Sequence, residues 1–148
     1  MRPAVVGLVG VLLLAGCGSG SPEEVRADYC ATVKERQAAL SERLGDRSAT
    51  ALLEAQPIFR DLTAAAPSDV SDEWQVLIDA LEELDAALAE AGVDPATYDP
   101  KRPPDDLTRE QRGAIERAAA ELLNPETQEA VEAVDQQARD VCKTPLFQ

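Results

Sequence analysis

Cysteines, carboxylates and a few large aromatics are the residues of this chain that could carry chemistry. There are three cysteines, no histidine, and 28 Asp and Glu against 14 Lys and Arg. Without histidine the commonest general base is missing, and with it the usual Ser and Cys triads and the His-containing di-iron sites of helical bundles. No Gly-rich phosphate loop follows a strand, and no strand pattern is evident. Carboxylates alone can form a hydrolytic pair, but an acidic helix face is ordinarily a solvated face. Asp94, Asp99, Asp105 and Asp106 offer the oxygen ligands a hard cation accepts. Their spacing departs from the helix-loop-helix calcium motif and no Gly holds its turn position, so they read as a soluble connection. Trp74 and Phe59, with Leu77 and Leu81, could line a pocket for an apolar ligand between helices; core packing is the competing reading.

Two of the cysteines are best read through the start of the chain. Arg2 is followed by an apolar run from Ala4 to Leu14 and then by the small residues Ala15 and Gly16 before Cys17. The run is too short to span a bilayer comfortably and reads as a secretory leader. In an exported chain, Cys30 and Cys142 are expected to pair as a disulfide, because no histidine and no second cysteine pair accompanies either as a metal ligand. Closing a loop of about 110 residues stabilises a fold by about 4 to 5 kcal/mol in the chain-entropy model.

These residues must be positioned by helices. Val70, Trp74, Leu77, Leu81, Leu84, Leu88 and Ala91 recur at intervals of four and three, one apolar seam along a helix from Val70 to Ala91. Acidic residues fill the positions between. Ser21, Pro22 and Glu24 combine an N-cap, a first-turn proline and a capping box, opening a first helix that runs to about Leu44, where Gly45 stops it. Its seam is Cys30, Val33, Gln37, Leu40 and Leu44, with Val25 and Tyr29 beside it. Tyr29 is expected over the disulfide.

Ser48 is a candidate cap for a second helix with the seam Leu52, Ala55, Phe59, Leu62 and Ala66, which Pro57 should kink or divide. Pro67 ends it, Ser68 caps the third helix, and Gly92 closes that one with Val93 folding back. From Asp94 to Leu107 the prolines argue against helix, and Tyr98 is expected to be exposed there. Thr108 and Gln111 form a second capping box for a short fourth helix with Ile115, Ala118 and Leu122 inward. Asn124 and Pro125 open a fifth, to about Cys142, with Val131, Val134, Ala138 and Val141 inward. The disulfide sets the start of the first helix beside the end of the fifth. An all-α, disulfide-bridged bundle of four to five helices follows, mostly up-and-down. The fourth helix is either the upper part of a broken last helix or a separate helix reached by the proline-rich crossing.

Leu14, Ala15, Gly16 and Cys17 resemble the lipobox of bacterial prolipoproteins. The resemblance implies that residues 1–16 are a signal peptide and that Cys17 carries a diacylglyceryl thioether, with residues 17–21 a short tether and 22–148 the helical domain. At about 3.5 Å per residue, Gly18 to Gly20 reach only about 10 Å, so the domain starts close to the membrane. The wider chain is similar to small Ala-rich helical lipoproteins of high-GC Gram-positive bacteria: a lipobox, Tyr29 and Cys30 early in the first helix, a mid-chain Trp, and a Cys near the C-terminus. That similarity implies a location, the extracytoplasmic face of the cell membrane, and leaves activity open.

A cut before Cys17 removes only Arg2 from the charged residues, leaving a balance one unit more negative than the formal −14 of the whole chain. So anionic a surface argues against nucleic acid as a partner and against lying flat on anionic lipid. The expected function is that of a non-enzymatic binding or accessory protein, needing no cofactor, that engages an envelope protein through the proline loop or an exposed helix face. In that loop Lys101 and Arg102 form a candidate docking patch. The alternative is carriage of an apolar small molecule or lipid between helices, where Ala55, Ala66, Ala91, Ala118 and Ala138 leave room or permit close approach. A carboxylate-only enzyme is a third reading.

Overall fold

The computed structural model describes residues 20–45 and 50–147. The leader, the lipidation candidate Cys17, Gly18 and Ser19 of the tether, and the candidate cap Ser48 lie outside the described residues. Within them the chain folds as six α-helices, bridged from Cys30 to Cys142.

Helix α1 (Pro22–Gly45) opens on the capping box that the spacing predicts. The Glu24 amide donates to Ser21 Oγ at 3.3 Å, and the Ser21 amide donates to Glu24 Oε2 at 2.6 Å. That amide, then the hydroxyl, holds the Glu24 carboxyl below its ordinary range. Over its length α1 fully buries only Tyr29, Val33 and Leu40. Tyr29, expected beside the seam, has no exposed surface at all.

The second helix divides near its proline, as expected. Helix α2 (Ala51–Glu54) ends at Ala55, and α3 (Gln56–Ala65) restarts with Pro57 in its first turn, where a missing N–H costs nothing. The break turns α2 relative to α3, so the predicted seam fails at its first position. Leu53 is buried and Leu52 is 37% exposed. Phe59 and Leu62 lie inward as read.

Helix α4 (Ser71–Glu90) is the centre of the core, burying Trp74, Leu77, Ile78, Ala80, Leu81, Leu84 and Leu88. Full burial of a large apolar side chain contributes about 1.5 to 3 kcal/mol, so this helix carries the largest hydrophobic share. Ser68 does not cap it. The chain after Pro67 closes a tight turn, with the Val70 amide donating to Pro67 O at 3.1 Å, and this places buried Val70 at the cap instead. The other end behaves as read. Gly92 adopts φ +70°, its amide donates to Ala89 O at 3.0 Å, and the Val93 amide donates to Leu88 O at 2.9 Å. These paired bonds satisfy the last carbonyls and need a left-handed residue at Gly92.

The connection from Asp94 contains one short 3₁₀ turn, Pro95–Thr97, started by the Asp94 side chain accepting from the Ala96 amide at 2.9 Å. Tyr98 is half-buried against the core rather than exposed, and Leu107 is buried, so the loop is pinned at both ends. The capping box of Thr108 and Gln111 opens α5 (Arg109–Glu121). Asn124 caps α6 (Pro125–Gln137), accepting from the Thr127 amide at 2.7 Å.

Helices α5 and α6 resolve the alternative left open by spacing. Ala114 and Arg117 of α5 lie beside Ala87 and Glu90 of α4, while Glu126 and Ala130 of α6 lie beside Glu73 and Val76. The two therefore follow one another antiparallel along α4, as a broken last rod. The rods α1, α2 with α3, α4, and α5 with α6 form an up-and-down four-helix bundle.

After α6 the backbone widens into a π-helical turn, Ala138–Cys142, in which the Lys143 amide reaches back to Ala138 O. One extra residue per turn rotates the register. Cys142 thereby faces inward to its disulfide and Val141, expected inward, is 37% exposed. Residues 144–147 then return as a core segment: Leu146 is buried, and Pro145 O accepts from Gln37 Nε2 at 3.1 Å. Among the described residues no helix is long and apolar enough to cross a membrane.

Candidate functional site

The pocket residues proposed from sequence come together, and they do so as core. Phe59, Trp74, Leu77 and Leu81 are each at most 2% exposed. The Phe59 ring packs tilted against Trp74, with centroids 6.2 Å apart, and against Phe147 at 6.5 Å. The Trp74 indole N–H donates to the Tyr29 hydroxyl at 3.1 Å, joining α4 to α1. Burial raises the Tyr29 phenol above its ordinary pKa of 10.0; the Trp74 bond works against that shift and Asp69 with it. This cluster is a buried polar contact between two helices, and its role is structural.

The proline loop spends its polar groups on itself. Asp99 accepts from the Lys101 amide at 2.9 Å and from Arg102 Nε at 3.0 Å, and these bonds, in that order, hold its carboxyl below the ordinary range. Burial, and the nearby Glu116 and Asp99, raise the Tyr98 phenol, against Arg112. Asp105 and Asp106 stay exposed. Lys101 and Arg102 are exposed too, but one face of Arg102 is committed to Asp99.

A second surface feature was not read from the sequence. Beside its core seam, α4 carries Asp72, Glu73, Val76, Asp79, Ala80 and Glu83 on one flank, and α6 faces that flank with Glu126, Glu129, Ala130 and Ala133. Two hollows of about 310 and 220 Å³ lie between them, sharing Val76 and Glu126, and so form one furrow. Glu121, Asn124 and Thr127 complete its far end. The floor is small and apolar: Ala80 and Ala130 are buried, Val76 and Ala133 half-buried. Among the described residues the walls hold seven carboxylates and no lysine or arginine.

None of the seven enters an ion pair among the described residues. Two accept side-chain amides, Asp79 from Gln75 at 2.6 Å and Glu121 from Asn124 at 2.7 Å. Beyond Glu83 the character changes, because Arg117 enters the lining beside Glu90. Among the described residues no three Asp, Glu or Cys side chains stand close enough together to hold a metal ion. The furrow therefore offers distributed negative charge over a shallow apolar floor rather than a coordination sphere. The signal for it was present as the stripe Asp72, Val76, Asp79 and Glu83 at helical spacing, but it becomes a furrow only once α6 is known to lie against it.

Comparison of the chain with protein-family models, with curated proteins and with solved structures gave no match.

Proposed function

We propose that this protein is a non-enzymatic binding or accessory lipoprotein, tethered through Cys17 to the extracytoplasmic face of the cell membrane and engaging an envelope protein at the α4–α6 furrow. The observation that carries the binding reading is the furrow itself, in which seven carboxylates without a cationic partner among the described residues line one alanine and valine floor. Like charges held side by side weaken the compact state, and a cationic counterpart from outside would relieve them. Carriage of an apolar molecule among Phe59, Trp74, Leu77 and Leu81 would require a closed cluster to part. The tether and the lipobox resemblance support the location.

The test is site-specific photo-crosslinking of the full chain in its native membrane. A crosslinker at Ala133 should yield a discrete protein adduct that one at exposed Glu42 on α1 does not. Identical patterns from the two positions would overturn the assignment of the furrow. Cys17→Ala should leave the membrane fraction, and a variant that stays would remove the anchor.

A further inference from the structure

The geometry points to a basic amphipathic helix of a partner protein as the occupant of the furrow, an inference that rests on the binding reading above and names its partner class. Three features select that occupant. First, the floor of Val76, Ala80, Ala130 and Ala133 lacks large side chains, so a helix backbone can approach closely and lay an apolar stripe along it. Second, both walls are acidic, matching cations that flank a stripe on both sides of a helix and repelling acidic surfaces. Third, the charges are strung along the furrow. From Asp72 to Glu83 α4 rises about 17 Å, the length of about three helical turns. A single cation has no cage here, since no three ligating side chains converge among the described residues. Lysines or arginines spaced along a helix meet the carboxylates one after another. The arginine that enters the lining at Arg117 marks where this complementarity stops.

The long, flexible Lys and Arg side chains of such a helix would reach the exposed carboxylates while their stems cover the rim of the floor. Association should be fast and salt-sensitive, with the apolar stripe contributing the part of the affinity that salt leaves intact.

The test uses the full chain in zwitterionic micelles, which give a basic peptide no anionic lipid to bind. The probe is a synthetic helix of about four turns with an Ala and Leu stripe flanked by lysines. It should bind the parent, and the variant Asp79→Asn, Glu83→Gln, Glu121→Gln, Glu129→Gln should bind it at least about tenfold more weakly, or about 1.4 kcal/mol. Neutralising four exposed carboxylates elsewhere, Asp28, Glu42, Asp105 and Asp106, should change binding by less than about twofold. Ala133→Trp, which fills the floor and leaves every charge, should also weaken it.

Equal losses from the two neutralised sets would mean diffuse attraction and overturn the proposal. So would equal binding of a proline-interrupted peptide of the same composition, or of spermine, because neither presents a helix. No binding of the probe also overturns it. If Ala133 nevertheless crosslinks to one membrane protein, the binding reading stands and only the basic-helix identity falls.

Discussion

The flank of the bundle built on α1 and the flank built on α4 and α6 use polar side chains in opposite ways. On the α1 flank several long polar side chains are tied across elements. Arg36 pairs with Asp61 at 3.1 Å, Arg43 donates to Glu54 O at 3.1 Å, and Gln37 donates to Pro145 O. The C-terminal segment that Gln37 holds is also fixed from α6, where buried Asp135 pairs with Arg139 and accepts the Leu146 and Phe147 amides at 2.8 and 3.3 Å. Those ties compensate for a helix that buries three side chains where the shorter α4 buries seven. On the furrow flank burial already holds α4 in place, and the carboxylates are left over. Two of the seven accept a neighbouring side-chain amide and none meets a cation among the described residues, which leaves them open to an external counterpart.

Breaking the strongest tie should separate the two flanks most clearly. Cys30→Ser should lower stability by about 4 to 5 kcal/mol in the chain-entropy limit, measured by denaturant unfolding under oxidising conditions. The loss should fall first on α1, whose amides should lose hydrogen-exchange protection before those of α4. Equal stability of variant and parent would show that the bridge contributes nothing.

The Tyr29 to Trp74 contact is next in size. Tyr29→Phe leaves a buried indole N–H without a partner and should cost about 1 to 3 kcal/mol. Its pH dependence has a definite sign. The folded phenol is raised above 10.0, so the stability it contributes is intact below that value and declines as pH rises through the folded pKa. Alkaline unfolding curves of parent and Tyr29→Phe should therefore converge at high pH; a constant gap would contradict the assignment.

Asp135→Ala should cost about 1 to 3 kcal/mol by leaving two amides of the tail unsatisfied, with loss of protection at Leu146 and Phe147. An unchanged unfolding midpoint would mean the tail is held by Leu146 alone.

The contrast between the flanks also governs what could be read from the sequence. The seam from Val70 to Leu88, both capping boxes, the Asn124 cap, Gly92 and the Cys30 to Cys142 pair are local or pairwise signals, and the structure carries all of them. Most misreadings sit where a helix changes its pitch or path; the exposure expected for Tyr98 fails instead because the loop folds back onto the core. A break at Ala55 exchanges Leu52 for Leu53, the π-helical turn exchanges Val141 for Cys142, and the turn after Pro67 moves the cap from Ser68 to Val70. A straight-helix periodicity has no term for such rotations. Pro145, Leu146 and Phe147 carry no comparable signal, because a short terminal stretch shows no period at all. The furrow was invisible for a different reason. Its walls come from two rods, and the acids on each look like any solvated face until α6 is laid against α4.

The most direct measurement is the thermal unfolding midpoint, at low salt, of Asp79→Asn, Glu83→Gln, Glu121→Gln, Glu129→Gln against the parent. None of these four residues lies in the first turn of a helix, so no favourable charge at a helix N-terminus is removed, and both amide-accepting oxygens are kept. Relief of like-charge pairs such as Asp79 and Glu83 is worth about 0.2 to 0.5 kcal/mol each. The account predicts an unchanged or higher midpoint, with the difference shrinking as salt is added. A midpoint that falls as far as that of Asp135→Ala would mean that the furrow carboxylates hold the fold, contradicting the claim that they are kept for a partner.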